Sequence, residues 1–93
     1  MTTNEDMIVL MKRHKADIAP STARTYASLL RNLYYKTTGK PKDEAIVMDW
    51  YFKQDDIIEV LADRPIGTRK TIFAALMALV GAEHGMKYRS AHR

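Results

Sequence analysis

At 93 residues, 46% hydrophobic and 28% charged, the chain has the size and composition of one small folded domain rather than a disordered tail. It has no cysteine, which excludes a disulfide scaffold, thiolate metal sites and thiol chemistry, and no apolar run approaches the roughly 20 residues that span a bilayer. A net charge of +4 and a pI near 9.5 lean toward anionic partners.

The charge is unevenly spread. Residues 1–48 hold eight Lys/Arg against five Asp/Glu, and residues 64–93 hold six against Glu83 alone. Between them Asp49, Asp55, Asp56, Glu59 and Asp63 face only Lys53, so a basic side and an acidic side are expected. Acidic residues precede the first apolar ones, unlike a secretion signal, and an intracellular location (cytoplasm, nucleus or nucleoid, or virion) is expected.

Periodicity predicts an all-α, SAM-like bundle of four to five helices, with a domain over residues 1–86 and a basic tail or linker over 87–93. The first helix runs from Asn4 to about Lys15. Thr3 and Asp6 have capping-box spacing, Met7, Ile8, Leu10 and Met11 form an apolar side, and "KRHK" suits the negative end of the helix dipole. The second spans Ser21 to about Lys36, with Ser21 as its expected N-cap. Tyr26, Leu29, Leu30, Leu33 and Tyr34 make its buried stripe, while Arg24, Ser28, Arg31 and Tyr35 share the opposite arc. Gly39 and Pro41 end it.

"EAIVMDWYF" over 44–52 is apolar enough for the core and reads as a short helix or an extended connector. A third helix over Gln54–Ala62 points Ile57, Ile58 and Leu61 inward and its carboxylates outward. "DRPIG" reads as a turn. The last strong helix, Thr68 to about Ala82, carries Ile72, Phe73, Leu76, Leu79 and Val80 on one face and Ala74, Ala78 and Gly81 on the other. Those small residues permit another helix to approach closely. "HGMKYRSAHR" is open to three readings: linker, fifth helix or ordered tail.

Little points to catalysis. "KTTGK" lacks the upstream glycine of a phosphate loop, no two histidines stand at i, i+4, and no serine sits in a nucleophile elbow. No enzyme activity, metal, cofactor, small-molecule substrate or membrane partner is expected. Two helix starts, "START" at 21–25 and "GTRKT" at 67–71, repeat one chemistry: hydroxyls, unpaired backbone amides and cations, which suits phosphate. Ser21 and Thr68 also read as simple caps. Tyr35 is the better stacking candidate among the tyrosines, whereas Tyr26, Tyr34 and Trp50 belong to the core.

"STARTYASLLRNLY…TG", followed after an acidic helix by "RPIGTRKTIFAALMAL", resembles the core-binding domain of tyrosine recombinases and phage integrases. The family pattern places Ser, Thr and Tyr on one helix, here Ser21, Thr25 and Tyr26, with the tyrosine nearer the cap than usual. On a later helix Thr68, Thr71, Leu76 and Leu79 approximate the second pattern. The resemblance implies a helical module that clamps duplex DNA through phosphate contacts from Ser21, Thr22, Arg24, Thr25, Thr68, Arg69 and Lys70. Ser28 and Arg31 on the same arc, with Lys87 and Arg89 in the basic end, complete the expected interface. The family's catalytic His-x-x-Arg motif does not occur, so the chain is expected to be an excised module or a stand-alone clamp of a virus, phage or mobile element. Two other readings compete. The acidic run 55–63 and the basic ends 12–15 and 87–93 also suit self-association, and a structural or virion protein would retain the fold alone.

Overall fold

The structure, a computed structural model, describes residues 3–92. These form an all-α bundle of five helices: α1 Asn4–His14, α2 Pro20–Thr38, α3 Gln54–Leu61, α4 Ile66–His84 and α5 Met86–His92, with a 3₁₀ turn Met48–Phe52 before α3. Met1, Thr2 and Arg93, counted in the expected 1–86 domain and 87–93 tail, lie outside the described residues.

Local sequence signals explain most helix ends. Thr3 and Asp6 form the expected capping box: Asp6 N donates to Thr3 Oγ1 at 3.2 Å, and Thr3 N donates to Asp6 Oδ2 at 3.0 Å. Gly39 ends α2 with φ +72°, and its amide donates to Tyr35 O at 3.0 Å. An unbranched backbone takes that left-handed turn without a Cβ penalty.

The other two starts correct the expectation. α2 begins at Pro20 with Ala19 as N-cap, and α4 begins at Ile66 with Pro65 as N-cap; neither has a side-chain cap hydrogen bond. Ser21 and Thr68 therefore lie inside the first turn. Proline is the reason in both cases. Its fixed φ is already helical and its missing N–H costs nothing at a position without an intrahelical acceptor, so each helix starts earlier than the hydroxyl residues suggest.

The core is built from Met7 and Met11 of α1, Ala27, Leu30 and Tyr34 of α2, Ile57 and Leu61 of α3, and Ile72, Leu76 and Leu79 of α4, all buried. An aromatic cluster is centred on Tyr34, edge-on to Tyr35 and Trp50 at centroid distances of 5.2 Å each. Trp50 is only partly buried, packed against this core from outside. A chain of hydroxyl–carbonyl bonds crosses the interior: Tyr88 Oη donates to Tyr51 O at 2.6 Å, and Tyr51 Oη donates to Leu30 O at 2.9 Å. Three elements distant in sequence are thereby tied together. The stretch from Lys87 is accordingly neither linker nor tail. It belongs to α5, whose Tyr88 is fully buried and stacks on Phe73 at 6.2 Å.

Gly81 interrupts α4 with φ +84° and ψ 158°. A Cβ there would stand 2.8 Å from His14 Cδ2, so the glycine both bends α4 and admits the end of α1. The small face foreseen for this helix is thus occupied by α1 at its C-terminal end.

Gln54 joins α3 to the α4–α5 corner. Its Nε2 donates to His84 O at 2.6 Å, while its Oε1 accepts from Lys87 N at 3.0 Å and Tyr88 N at 3.3 Å. One amide so satisfies a carbonyl at the end of one helix and two orphan amides at the start of the next. Gln54→Ala should lower stability by about 1–2 kcal/mol with little change in the denaturant slope. Urea unfolding followed by circular dichroism would read this; an unchanged midpoint would mean that water replaces the amide at no cost.

Candidate functional site

The solvent face of α2 is the longest acid-free polar surface along any helix. No Asp or Glu occurs between Pro20 and Thr38. Ser21, Arg24, Thr25, Ser28, Arg31, Asn32 and Lys36 are all exposed, and at 100° per residue they fall within an arc of about 140°. The inward face is apolar because Ala23, Ala27, Leu30, Leu33 and Tyr34 are buried. Local sequence explains this division: small and branched apolar residues recur at helical spacing on one side, and only the buried Tyr35 interrupts the other.

The two turns that open α2 and α4 behave alike. Thr25 Oγ1 donates to Ser21 O at 3.0 Å, and Thr71 Oγ1 donates to Gly67 O at 3.0 Å. Each hydroxyl bonds back to a carbonyl four residues earlier, so its proton is not directed at an external anion. Because neither start is capped, the backbone amides of Ser21 and Thr22 in α2, and of Ile66, Gly67 and Thr68 in α4, keep no intrahelical or side-chain acceptor. Thr22 is partly buried, whereas Thr68 and Lys70 are exposed.

Arg69 is turned elsewhere. Its Nη1 donates to Ala62 O at 3.3 Å, closing the end of α3, and its Nε is buried without a partner. A cation at a helix C-terminus meets the negative end of that dipole, a structural use that sequence spacing within "GTRKT" does not disclose. Lys87 is likewise engaged: its Nζ lies 2.8 Å from Asp55 Oδ2, with both groups exposed. Among the described residues this is the one ion pair, so Arg24, Arg31, Lys36 and Lys70 carry uncompensated charge.

Tyr35 is not a stacking platform for a base. It is 7% exposed because the 42–46 loop folds over it, and its hydroxyl donates to Glu44 O. Arg31 lies above the Tyr35 ring, 5.6 Å from the centroid, which holds the guanidinium against the helix surface. The depression beside Arg31 is also lined by Glu5, Asp43 and Glu44. Arg24 is exposed and in no ion pair, so it stands free at the N-terminal half of α2.

On the other side of the bundle, a groove of about 270 Å³ joins α2 to α4 and α5. Tyr26 forms one wall, Met77 and a row of alanines the floor, and His14, Lys15 and Arg89 stand at its edges. None of Ser21, Thr22, Arg24, Thr25, Thr68, Arg69 or Lys70 lines it. Tyr26 is about 200° from Arg24 around α2, so Arg89 faces a different surface from the α2 arc. The expected set therefore divides into four places: the α2 face, the α4 start and the two opposite sides of α5. His14 and Lys15, absent from the expected set, were signalled by the basic "KRHK" end of α1.

Lys40 is the other cation with a defined local role. Its Nζ donates to Tyr34 Oη at 3.2 Å, and this bond raises the ammonium pKa above the ordinary lysine value. Among the described residues no three His, Asp or Glu side chains gather closely enough to hold a metal ion, and no helix is long and apolar enough to cross a membrane. No protein-family profile, curated protein or solved structure matches the chain.

Proposed function

We propose that this chain is a DNA-binding module of the core-binding type, without chemistry of its own, that holds duplex DNA by its phosphates. The observation that carries this reading is the α2 face. Arg24, Arg31 and Lys36 project from a helix without a single carboxylate, beside Ser28 and Asn32, over about 18 Å of helix. That length spans several phosphates of a duplex strand, and side chains of this kind contact backbone oxygens without reading bases. The uncapped start of α2 adds free amides and the positive end of the helix dipole at the same end as Arg24. The start of α4, at a separate place on the surface, offers Lys70 and amides of the same type. The motif resemblance over "START" and "GTRKT" supports the same assignment.

Binding of this kind displaces counterions, so affinity for a short duplex should fall linearly on a log–log plot against salt. Arg24→Ala and Lys70→Ala should each reduce that slope by about one, with similar effect on unrelated sequences. Arg31→Ala should reduce it less, because Glu5, Asp43 and Glu44 border its approach. Fluorescence anisotropy at several salt concentrations measures all three. Slopes unchanged by Arg24→Ala and Lys70→Ala would overturn the proposal, as would no binding at low salt.

A further inference from the structure

The groove beside Tyr26 and the outer face of α3 have opposite electrostatic character. Ala74 and Ala78 stand one turn apart on α4, and Ala82 continues the groove floor just beyond the Gly81 bend. Small side chains there permit a helix backbone to come close, and Met77 and Tyr26 supply apolar contact around them. His14, Lys15 and Arg89 at the edges are exposed, and among the described residues none is in an ion pair. No carboxylate lines the groove.

α3 is eight residues long, about 12 Å. Asp56, Glu59 and Val60 on its outer side are exposed, as is Asp63 in the turn just beyond it. At 100° per residue they occupy about 100° of arc, with the three carboxylates side by side and Val60 at one edge. Asp55, on the same helix, is already held by Lys87 of its own chain. The charge of this face is the complement of the groove: a strip of carboxylates bordered by Val60 against basic edges around an apolar floor.

One copy cannot join the two. Lys87 reaches α3, whereas Arg89, about 200° further round α5, faces the groove, so α5 stands between them. We infer that the groove of one copy receives α3 of a second copy, with Arg89, His14 and Lys15 facing Glu59, Asp56 and Asp63. The two surfaces differ, so a single contact leaves one groove and one α3 free, and these either pair reciprocally in a two-fold dimer or take up further copies. The patch is small and its charges lie at the rim, so association is weak and strongly screened by salt.

Because the chain has no cysteine, single replacements report the contact cleanly. Ala82→Cys marks the groove and Val60→Cys marks α3, both at exposed positions. In a mixture of the two variants under mild oxidation at low salt, the mixed disulfide should exceed either homodimer several-fold. High salt should abolish the excess. Arg89→Glu in the Ala82→Cys copy should also abolish it, and Glu59→Arg in the Val60→Cys copy should then restore it. Arg24→Ala, which weakens the proposed duplex contact, should leave the cross-link unchanged, so the two proposals fail separately. A mixed disulfide no more frequent than random pairing gives, or one indifferent to Arg89→Glu, overturns the inference.

Discussion

Tyr88→Ala should lower the stability of the domain by about 3–5 kcal/mol, the cost of deleting a fully buried aromatic ring. The loss comprises the stack on Phe73, the cavity left in the core, and the bond from Tyr88 Oη to Tyr51 O. Domains of this size hold roughly 5–15 kcal/mol in total, so the variant should be close to unfolding at physiological temperature. Tyr88→Phe keeps the ring and should cost only about 1 kcal/mol. Urea denaturation of both variants checks the pair. A tail with no packing role would leave both midpoints at the wild-type value.

The same hydroxyl chain predicts how stability responds to alkali. Burial pushes the Tyr51 phenol well above the usual phenol range, with the neighbouring Tyr34 and Tyr35 phenols adding to the shift, and burial raises Tyr88 likewise. A folded-state pKa above the unfolded value means that the folded protein holds the proton more tightly. This contribution is complete below about pH 10, where the unfolded phenol titrates, and is lost as pH rises toward the folded value. The wild-type midpoint should therefore fall above about pH 10, and Tyr51→Phe should fall less steeply over the same range.

Gly81→Ala should cost about 2–4 kcal/mol, combining backbone strain with a steric clash. With φ +84° and ψ 158°, Gly81 occupies a region essentially closed to other residues, and its new Cβ would meet His14 Cδ2 at 2.8 Å. Two comparisons separate these causes. Gly39→Ala has a similar positive φ of +72° but nothing within 4 Å of the new Cβ, so it should cost only about 1 kcal/mol. His14→Ala combined with Gly81→Ala should recover the steric part and leave the strain. Thermal unfolding should show Gly81→Ala melting about 10 °C or more below the wild type. A loss no larger than that of Gly39→Ala would mean that His14 moves aside freely.

The fold was largely legible because its helices are written in local terms. The Thr3–Asp6 box, the Gly39 stop, the stripe on α2 and the acidic outer face of α3 all depend on residues within about one turn of each other. Such relations can be counted from spacing. The polar arc of α2 was legible for the same reason, as was the row of small residues on α4, of which Gly81 admits α1.

What the spacing did not disclose has a different cause. Tyr35 lies on the polar arc by periodicity, yet the 42–46 loop covers it; Tyr88 sits in a basic, tail-like segment, yet its ring fills a core position beside Phe73. Arg69 has the spacing of a phosphate ligand but turns to the carbonyl of Ala62, and Lys87 turns to Asp55. In each case a partner distant along the chain, or on another helix, decides where the side chain goes.

By itself, then, the sequence determined the all-α class, the approximate helix positions, the acid-free face of α2 and the separation of basic from acidic elements. Those properties follow from neighbours at i+3 and i+4 and from composition. Only the tertiary structure decided which cations remain free, which tyrosines are core, that Gly81 must bend α4 around His14, and that Arg89 faces a groove away from Arg24. Burial and hydrogen-bond pairing are set by surfaces that meet only when the chain has closed on itself.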